Sequence, residues 1–324
     1  MSIMPEKLKK GDKVMVVAPS RGLKLIGTEL RKIAEERLHN LGLEVVFAKN
    51  TTDDNFDMLG SSCVQKRAAD INEAFADKSV KAVLTVIGGF NSNEILKYID
   101  YDAIKANPKI FMGFSDITAL HAAIYAKTGL ITYYGPHYSS LGMKKGCEYT
   151  LEYAKKVLFE SGEFELKASK EWSDDAWYRN QENREFIKNE GFWHIGQGNA
   201  KGKILGGNLC TLILNSETPY FPKFDEDIIL FIEDDEASDL PTFARNLQAL
   251  INRDDFKNVK GLVIGRFQKA SDVTREKLEF ILDKNELKNM PIVANIDMGH
   301  TTPIATIPLG SKAHIQNGCI FIQG

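Results

Sequence analysis

The chain has 324 residues, of which 43% are hydrophobic and 26% charged, with a formal net charge of −3. This is a globular composition long enough for two domains; disorder is excluded, and the mild acidity argues against a nucleic-acid partner. Met1 to Lys10 lacks the apolar core of a signal peptide, no stretch is long enough to span a bilayer, and Cys63, Cys147, Cys210 and Cys319 form no CxxC pair, so a cytoplasmic protein with isolated thiols and no membrane partner is expected.

Lys13 to Ala18 reads as a strand ending in Pro19-Ser20-Arg21-Gly22, Thr28 to Asn40 as a helix, and Leu43 to Ala48 as the next strand. Cys63 to Phe75 is helical, and Val80 to Ile87 is a strand closed by Gly88-Gly89-Phe90. Short helical pieces at 93–98 and 101–106 precede a strand at 109–112 and a helix at 117–126. Strands alternating with helices predict βαβ units in a parallel sheet, a flavodoxin- or Rossmann-like N-terminal α/β domain over residues 1–165. Ligands bind such sheets beyond the carboxyl ends of the strands, where the loops at Pro19, Gly88 and Ser115 lie.

Residues 166–200 read as an aromatic linker or long loop, with all three tryptophans of the chain, Trp172, Trp177 and Trp193. Residues 201–324 read as a smaller mixed α/β domain. Its strands are expected at 203–205, 228–232, 261–264 and 291–295, and its helices at 240–251 and 274–282. The last strands, at 306–308, 313–316 and 319–323, suggest a terminal hairpin turning at Asn317-Gly318.

Gly113-Phe114-Ser115-Asp116-Ile117 puts a serine on a tight strand-to-helix turn, the setting of a nucleophile elbow. A helix-capping serine would occupy the same place, and the usual second glycine of the elbow is replaced by Ile117. The Gly88-Gly89 turn could bring an amide close to a ligand and, with the amide of Asp116, form an oxyanion hole; it could equally be a bare βα turn. Glu233-Asp234-Asp235-Glu236 follows an apolar strand, and no histidine or second acidic cluster has the spacing of a metal site. Glu233 is nearest the strand and best placed to be held rigidly, with Asp234 as its rival. His300 follows the 291–295 strand inside Asp297-Met298-Gly299-His300-Thr301-Thr302-Pro303. His121 reads as a packed helix residue, and His137 as either a cleft or a turn residue. Serine needs an imidazole to take its proton, and the imidazole needs a carboxylate to fix its tautomer; Ser115, His300 and Glu233 supply the three chemistries.

These segments resemble the LD-carboxypeptidase family of serine peptidases, family S66. The resemblance is carried by Val14 to Ser20, Gly88-Gly89-Phe90-Asn91, Tyr101 to Lys109 and Gly113 to Leu120. It continues through Gly135-Pro136, Gly206-Gly207-Asn208-Leu209, Phe231-Ile232-Glu233-Asp234 and Gly299 to Pro303, in family order over nearly the whole chain. It implies Ser115 as nucleophile, Glu233 as triad acid, His300 as base, and an oxyanion hole at Gly89 and Asp116. It implies an active site in the interdomain cleft, no cofactor and no metal, and a homodimer. Asn208 is expected among the substrate-binding residues.

Two branches of that family compete. One removes the terminal D-alanine of murein tetrapeptides. The other resembles the microcin C immunity peptidase, an antibiotic-resistance activity that cleaves the linkage between an aspartyl residue and a nucleotide-like group. Glu171 to Tyr178 looks like the aromatic loop of this second branch, with Trp172 or Trp177 stacking on the base, so a small peptide or peptidyl-nucleotide substrate is expected. A protein that binds a small ligand in the same cleft without turnover is the third reading.

Overall fold

In this computed structural model, residues 2–53 and 55–324 are described. The first sheet is built from β1 (Lys13–Val17), β2 (Glu44–Phe47), β3 (Val80–Thr85), β4 (Ile110–Gly113) and β5 (Thr132–Tyr134), all parallel. The central strands are nearly continuous apolar runs because helices cover both faces of the sheet. Those helices are α1 (Thr28–Asn40), α2 (Val64–Ala76), α3 (Tyr101–Ala106), α4 (Thr118–Thr128) and α5 (Glu148–Phe159). Asp100 caps α3 by accepting from the Ala103 amide, and α4 stops where Gly129 turns left-handed at φ 75°. The expected α/β fold with a second, mixed unit is what the chain adopts.

Residues 161–200, which take in the expected loop at 166–200, hold short strands. They contain β6 (Glu163–Leu166), β7 (Glu171–Trp172), β8 (Ile187–Lys188) and β9 (Trp193–His194). β7 and β8 form a separate ribbon, while β6 and β9 are the two edges of the second sheet. Strands of two to four residues hold too few alternations to show a period of two. The first sheet's partner therefore begins before residue 165.

The second sheet adds β10 (Ala200–Asn208), β11 (Ile228–Glu233), β12 (Val259–Gly265) and β13 (Ile292–Ile296) as a parallel centre. α6 (Leu209–Ile213), α7 (Leu240–Ile251) and α8 (Arg275–Lys284) belong to this unit, and Leu212, Leu247 and Leu282 share one buried cluster with its strands. After β13 come β14 (Ile307–Leu309), β15 (Lys312–Gln316) and β16 (Cys319–Gln323). β15 and β16 form the expected hairpin, with Asn317 and Gly318 both at positive φ as a two-residue turn requires. β14 does not join them. It crosses to the first sheet and pairs antiparallel with β5 as the edge strand. Pro308 is compatible with that place, because an edge strand need not donate on both sides.

The two units share a core. One buried cluster joins Tyr134 of β5 and Tyr153 of α5 to Phe231, Val263 and Met298. A second contact lies where β10 meets α4, and there the Asn208 amide donates to Thr118 Oγ1 at 2.9 Å. Gly207 has φ +126°, and a β-carbon on it would sit 2.7 Å from Thr118 Cγ2 and Oγ1. Gly207→Ala is therefore expected to push the units apart and destabilise the protein by about 1–3 kcal/mol. Thermal unfolding checks this, and an unchanged midpoint would show that the close approach is not required.

Candidate active site

β4 ends at Gly113, Phe114 is extended, and Ser115 then takes φ 62° before a 3-10 turn leads into α4. A non-glycine residue held there is strained by about 1–2 kcal/mol, so its surroundings must over-determine it. Tyr134 does part of this, its hydroxyl accepting from the Ser115 amide at 3.1 Å. Of the two roles open to Ser115, capping is not made. Phe114 occupies the cap position without a side-chain bond. The Ser115 hydroxyl instead lies 2.9 Å from His300 Nε2.

His300 Nδ1 lies 2.7 Å from Glu233 Oε2. With the carboxylate as acceptor, Nδ1 carries the hydrogen, and Nε2 of the neutral ring is left to accept from Ser115. Glu233 is wholly buried at the carboxyl end of β11. Its Oε1 accepts from the Tyr134 hydroxyl at 2.5 Å and from Asn208 Nδ2 at 3.2 Å. Two glycines make room for this carboxylate. A β-carbon on Gly299 would lie 2.1 Å from Glu233 Oε2, and one on Gly265 would lie 2.5 Å from Glu233 Cβ. Asp234, the rival acid, bonds Asn208 Nδ2 at 3.2 Å, and His300 Nδ1 meets Glu233.

Charge at the site is uneven. Burial pulls the His300 pKa down, but Glu233, Asp235 and Asp234 outweigh it and push it up to about 9. Asp235 Oδ2 stands 4.0 Å from Nε2, the side that faces Ser115. Burial and the neighbouring Glu233 raise Asp234 to about 7. His137 behaves oppositely. Burial first, then His300, His121 and Arg21, hold it well below the usual imidazole range. It stacks on Phe114 at 4.3 Å, and its Nδ1 pairs with Thr85 Oγ1 at 2.8 Å. Thr85 gives its own hydrogen to Met112 O, so His137 Nδ1 donates. Burial likewise lowers His121 to about 4, and it packs inside α4 as expected.

Gly88 abuts the serine. A β-carbon there would lie 3.1 Å from Ser115 Cβ and 3.2 Å from its Oγ. Gly89 faces Ser20, whose Oγ would be 2.2 Å from a β-carbon on that residue. The Asp116 carboxylate is turned away from solvent. It accepts from Ser20 Oγ at 2.6 Å, Asn91 N at 3.1 Å and Ser92 N at 3.0 Å. One side chain thus fastens together the loops after β1, β3 and β4.

Asn208, expected among the substrate-binding residues, is 2% exposed, and its side chain is engaged within the protein. Its amide nitrogen bonds Glu233 and Asp234, and its oxygen caps α6 by accepting from Thr211 N and Oγ1. The two tryptophans separate clearly. Trp172 lies under Arg266 and Lys269, at 5.1 and 5.7 Å from the ring centroid. Trp177 lines a small cavity of about 50 Å³ together with Phe114 and His300. A larger cavity of about 680 Å³ shares Pro303 with it but contains no member of the Ser115–His300–Glu233 chain.

Three features escaped sequence reasoning. Tyr134 bridges Ser115 and Glu233. Asp297, buried beside Arg266 at 2.6 Å, accepts from Ser169 N and Oγ and so pins the His300 loop to the linker. Ser173 and Thr302 exchange two backbone bonds of 2.7 Å in the same place. An aspartate three residues before the histidine was the one available signal.

Comparison with known proteins identifies the family of the chain. Residues 14–135 match the LD-carboxypeptidase N-terminal domain, and residues 201–315 match the LD-carboxypeptidase C-terminal domain. An MccF-like protein from Bacillus anthracis has a crystal structure that superposes with TM-score 0.96 at 47% identity, covering 99% of both chains. The microcin C7 self-immunity protein MccF of Escherichia coli is 34% identical over 87% of this chain and 83% of its own. MccF has been solved with aspartyl sulfamoyl adenosine, and that structure superposes with TM-score 0.89 over 99% of this chain and 98% of its own. A Bacillus subtilis protein named "Probable murein peptide carboxypeptidase" is 32% identical over 97% of this chain and 91% of its own. With both domain matches in order and relatives along nearly its whole length, this chain belongs to the LD-carboxypeptidase family, S66.

Proposed function

We propose that this peptidase hydrolyses the amide or acyl linkage between a C-terminal aspartyl residue and a nucleotide-like leaving group, using Ser115 as nucleophile. The observation that carries the reading is the unbroken hydrogen-bonded chain from Ser115 Oγ through His300 to Glu233. As Oγ attacks the carbonyl carbon, His300 Nε2 takes its proton, and Glu233 stabilises the imidazolium. The oxyanion is received by the amides of Gly89 and Asp116. When the carbon–nitrogen bond breaks, His300 returns the proton to the leaving amine. Water then releases the acyl group by the reverse proton path. Ser115→Ala is expected to lower turnover by several orders of magnitude with an unchanged fold, and to abolish labelling by a fluorophosphonate. Near-normal turnover by that variant, with circular dichroism unaltered, would reject the assignment.

The proton affinity of His300 sets the pH profile. Its pKa is raised from 6.5 to about 9, so below that value the ring is charged and cannot accept the serine proton. The ratio kcat/KM is expected to rise about tenfold per pH unit until it levels near the His300 pKa. Asp235→Asn removes one of the carboxylates that retain the proton and should move the limb to lower pH. A limb centred at the ordinary imidazole value, or one indifferent to Asp235, would contradict this electrostatic account.

Trp177 supports the nucleotide-like leaving group, because its ring shares a cavity with His300 and a flat ring can stack on a base. Trp177→Ala should reduce kcat/KM for an aspartyl-adenylate analogue by about 10- to 100-fold, the rate equivalent of a stacking contact. A small aspartyl amide should lose little. Assayed side by side, efficient trimming of an L,D-tetrapeptide with no cleavage of the aspartyl-nucleotide compound would move the assignment to murein recycling.

A further inference from the structure

We infer that Arg21 is a positioning residue for the oxyanion hole, which it holds in register through the Gly88–Gly89 peptide. The inference rests on the reading of Gly89 N–H as an oxyanion donor. Arg21 stands at the end of the first strand's loop, and its Nε donates to the Gly88 carbonyl at 3.0 Å. That carbonyl and the Gly89 N–H belong to one peptide unit. Thr302–Pro303 is the cis bond of the described chain, so the 88–89 unit is trans and its two polar groups point in opposite directions. Fixing the carbonyl from one side therefore fixes the direction of the N–H on the other. A cation on the carbonyl also polarises the unit and strengthens the N–H as a donor.

The surroundings hold the arginine to this task. Arg21 and Ser61 form an isolated antiparallel bridge, and Gly22 N donates to Gly60 O at 3.2 Å. The side-chain stem runs between two glycines. A β-carbon on Gly89 would lie 3.1 Å from Arg21 Cγ, and one on Gly60 would lie 3.8 Å from Arg21 Cγ and Cδ. Gly88, on the other flank of the same peptide, touches Ser115. The guanidinium thus acts one peptide away from the nucleophile without contacting it. Glycine alone leaves the 88–89 turn with many conformations, and the Arg21 bond selects one.

The test uses the full-length protein, with aspartyl p-nitroanilide as substrate and a fluorophosphonate as covalent probe. Arg21→Gln keeps a donor but loses the charge. It should lower kcat by about 10- to 100-fold with KM within twofold, below or at the loss seen when an oxyanion donor is deleted outright. Labelling of Ser115 should slow in parallel, since the phosphoryl oxygen needs the same amides. Arg21→Lys, which keeps a cation on a flexible stem, should restore part of kcat. If Arg21→Gln does not fold, Arg21→Lys alone carries the test, with an intermediate kcat and unaltered KM expected. Unchanged kcat in a folded variant, or a loss lying wholly in KM, would overturn the inference, the latter marking Arg21 as a substrate-anion contact. Wild-type protein that is neither labelled at Ser115 nor active would instead overturn the nucleophile reading, and this inference with it.

Discussion

Everything at this site depends on keeping the Glu233 carboxylate out of water. A buried carboxylate is tolerated only when its oxygens are met by donors. Here those donors come from three distant stretches of chain: the Tyr134 hydroxyl from the first sheet, the Asn208 amide from the end of β10, and the His300 ring from the loop after β13. None is close to Glu233 in sequence. Asn208 and His300 belong to the same unit as Glu233, while the Tyr134 bond crosses from the first sheet, so one buried charge ties the docking of the two units to the assembly of the site.

The same economy appears at the loops. Asp116, one residue past the serine, uses its carboxylate to gather Ser20, Asn91 and Ser92. This over-determination lets Ser115 sit at positive φ. Small residues complete the arrangement. Gly88, Gly265 and Gly299 stand where any β-carbon would meet Ser115 or Glu233. The linker contributes from outside, since Asp297 and Thr302 tie the His300 loop to residues 169–173.

Much of this was legible in the residues. The alternation of apolar strands and helices announced a parallel sheet, and each of Ser115, Glu233 and His300 followed a recognisable strand. What stayed hidden was hidden for physical reasons. A left-handed serine has no compositional mark. The strands at 171–172 and 193–194 are too short to carry periodicity, so tertiary pairing alone creates them. Asn208 reads as a substrate-binding residue, and only the folded chain reveals that its nitrogen meets two carboxylates. Tyr134, in an aromatic strand, looks like plain core until its hydroxyl is traced to Glu233.

The path of β14 has a consequence for how the molecule comes into being. The first sheet is bounded at one side by residues 307–309, which follow almost the entire second unit in the chain. As the chain leaves the ribosome, the edge of β5 waits with an open row of backbone groups while eight further strands, β6 to β13, are still to be made. The first sheet is thus complete only once β14 has been made. A fragment cut near residue 165 would expose a sticky strand edge and lack the donor-hungry acid that Tyr134 serves. The enzyme is completed from its far end, and the last crossing seals both sheet and site.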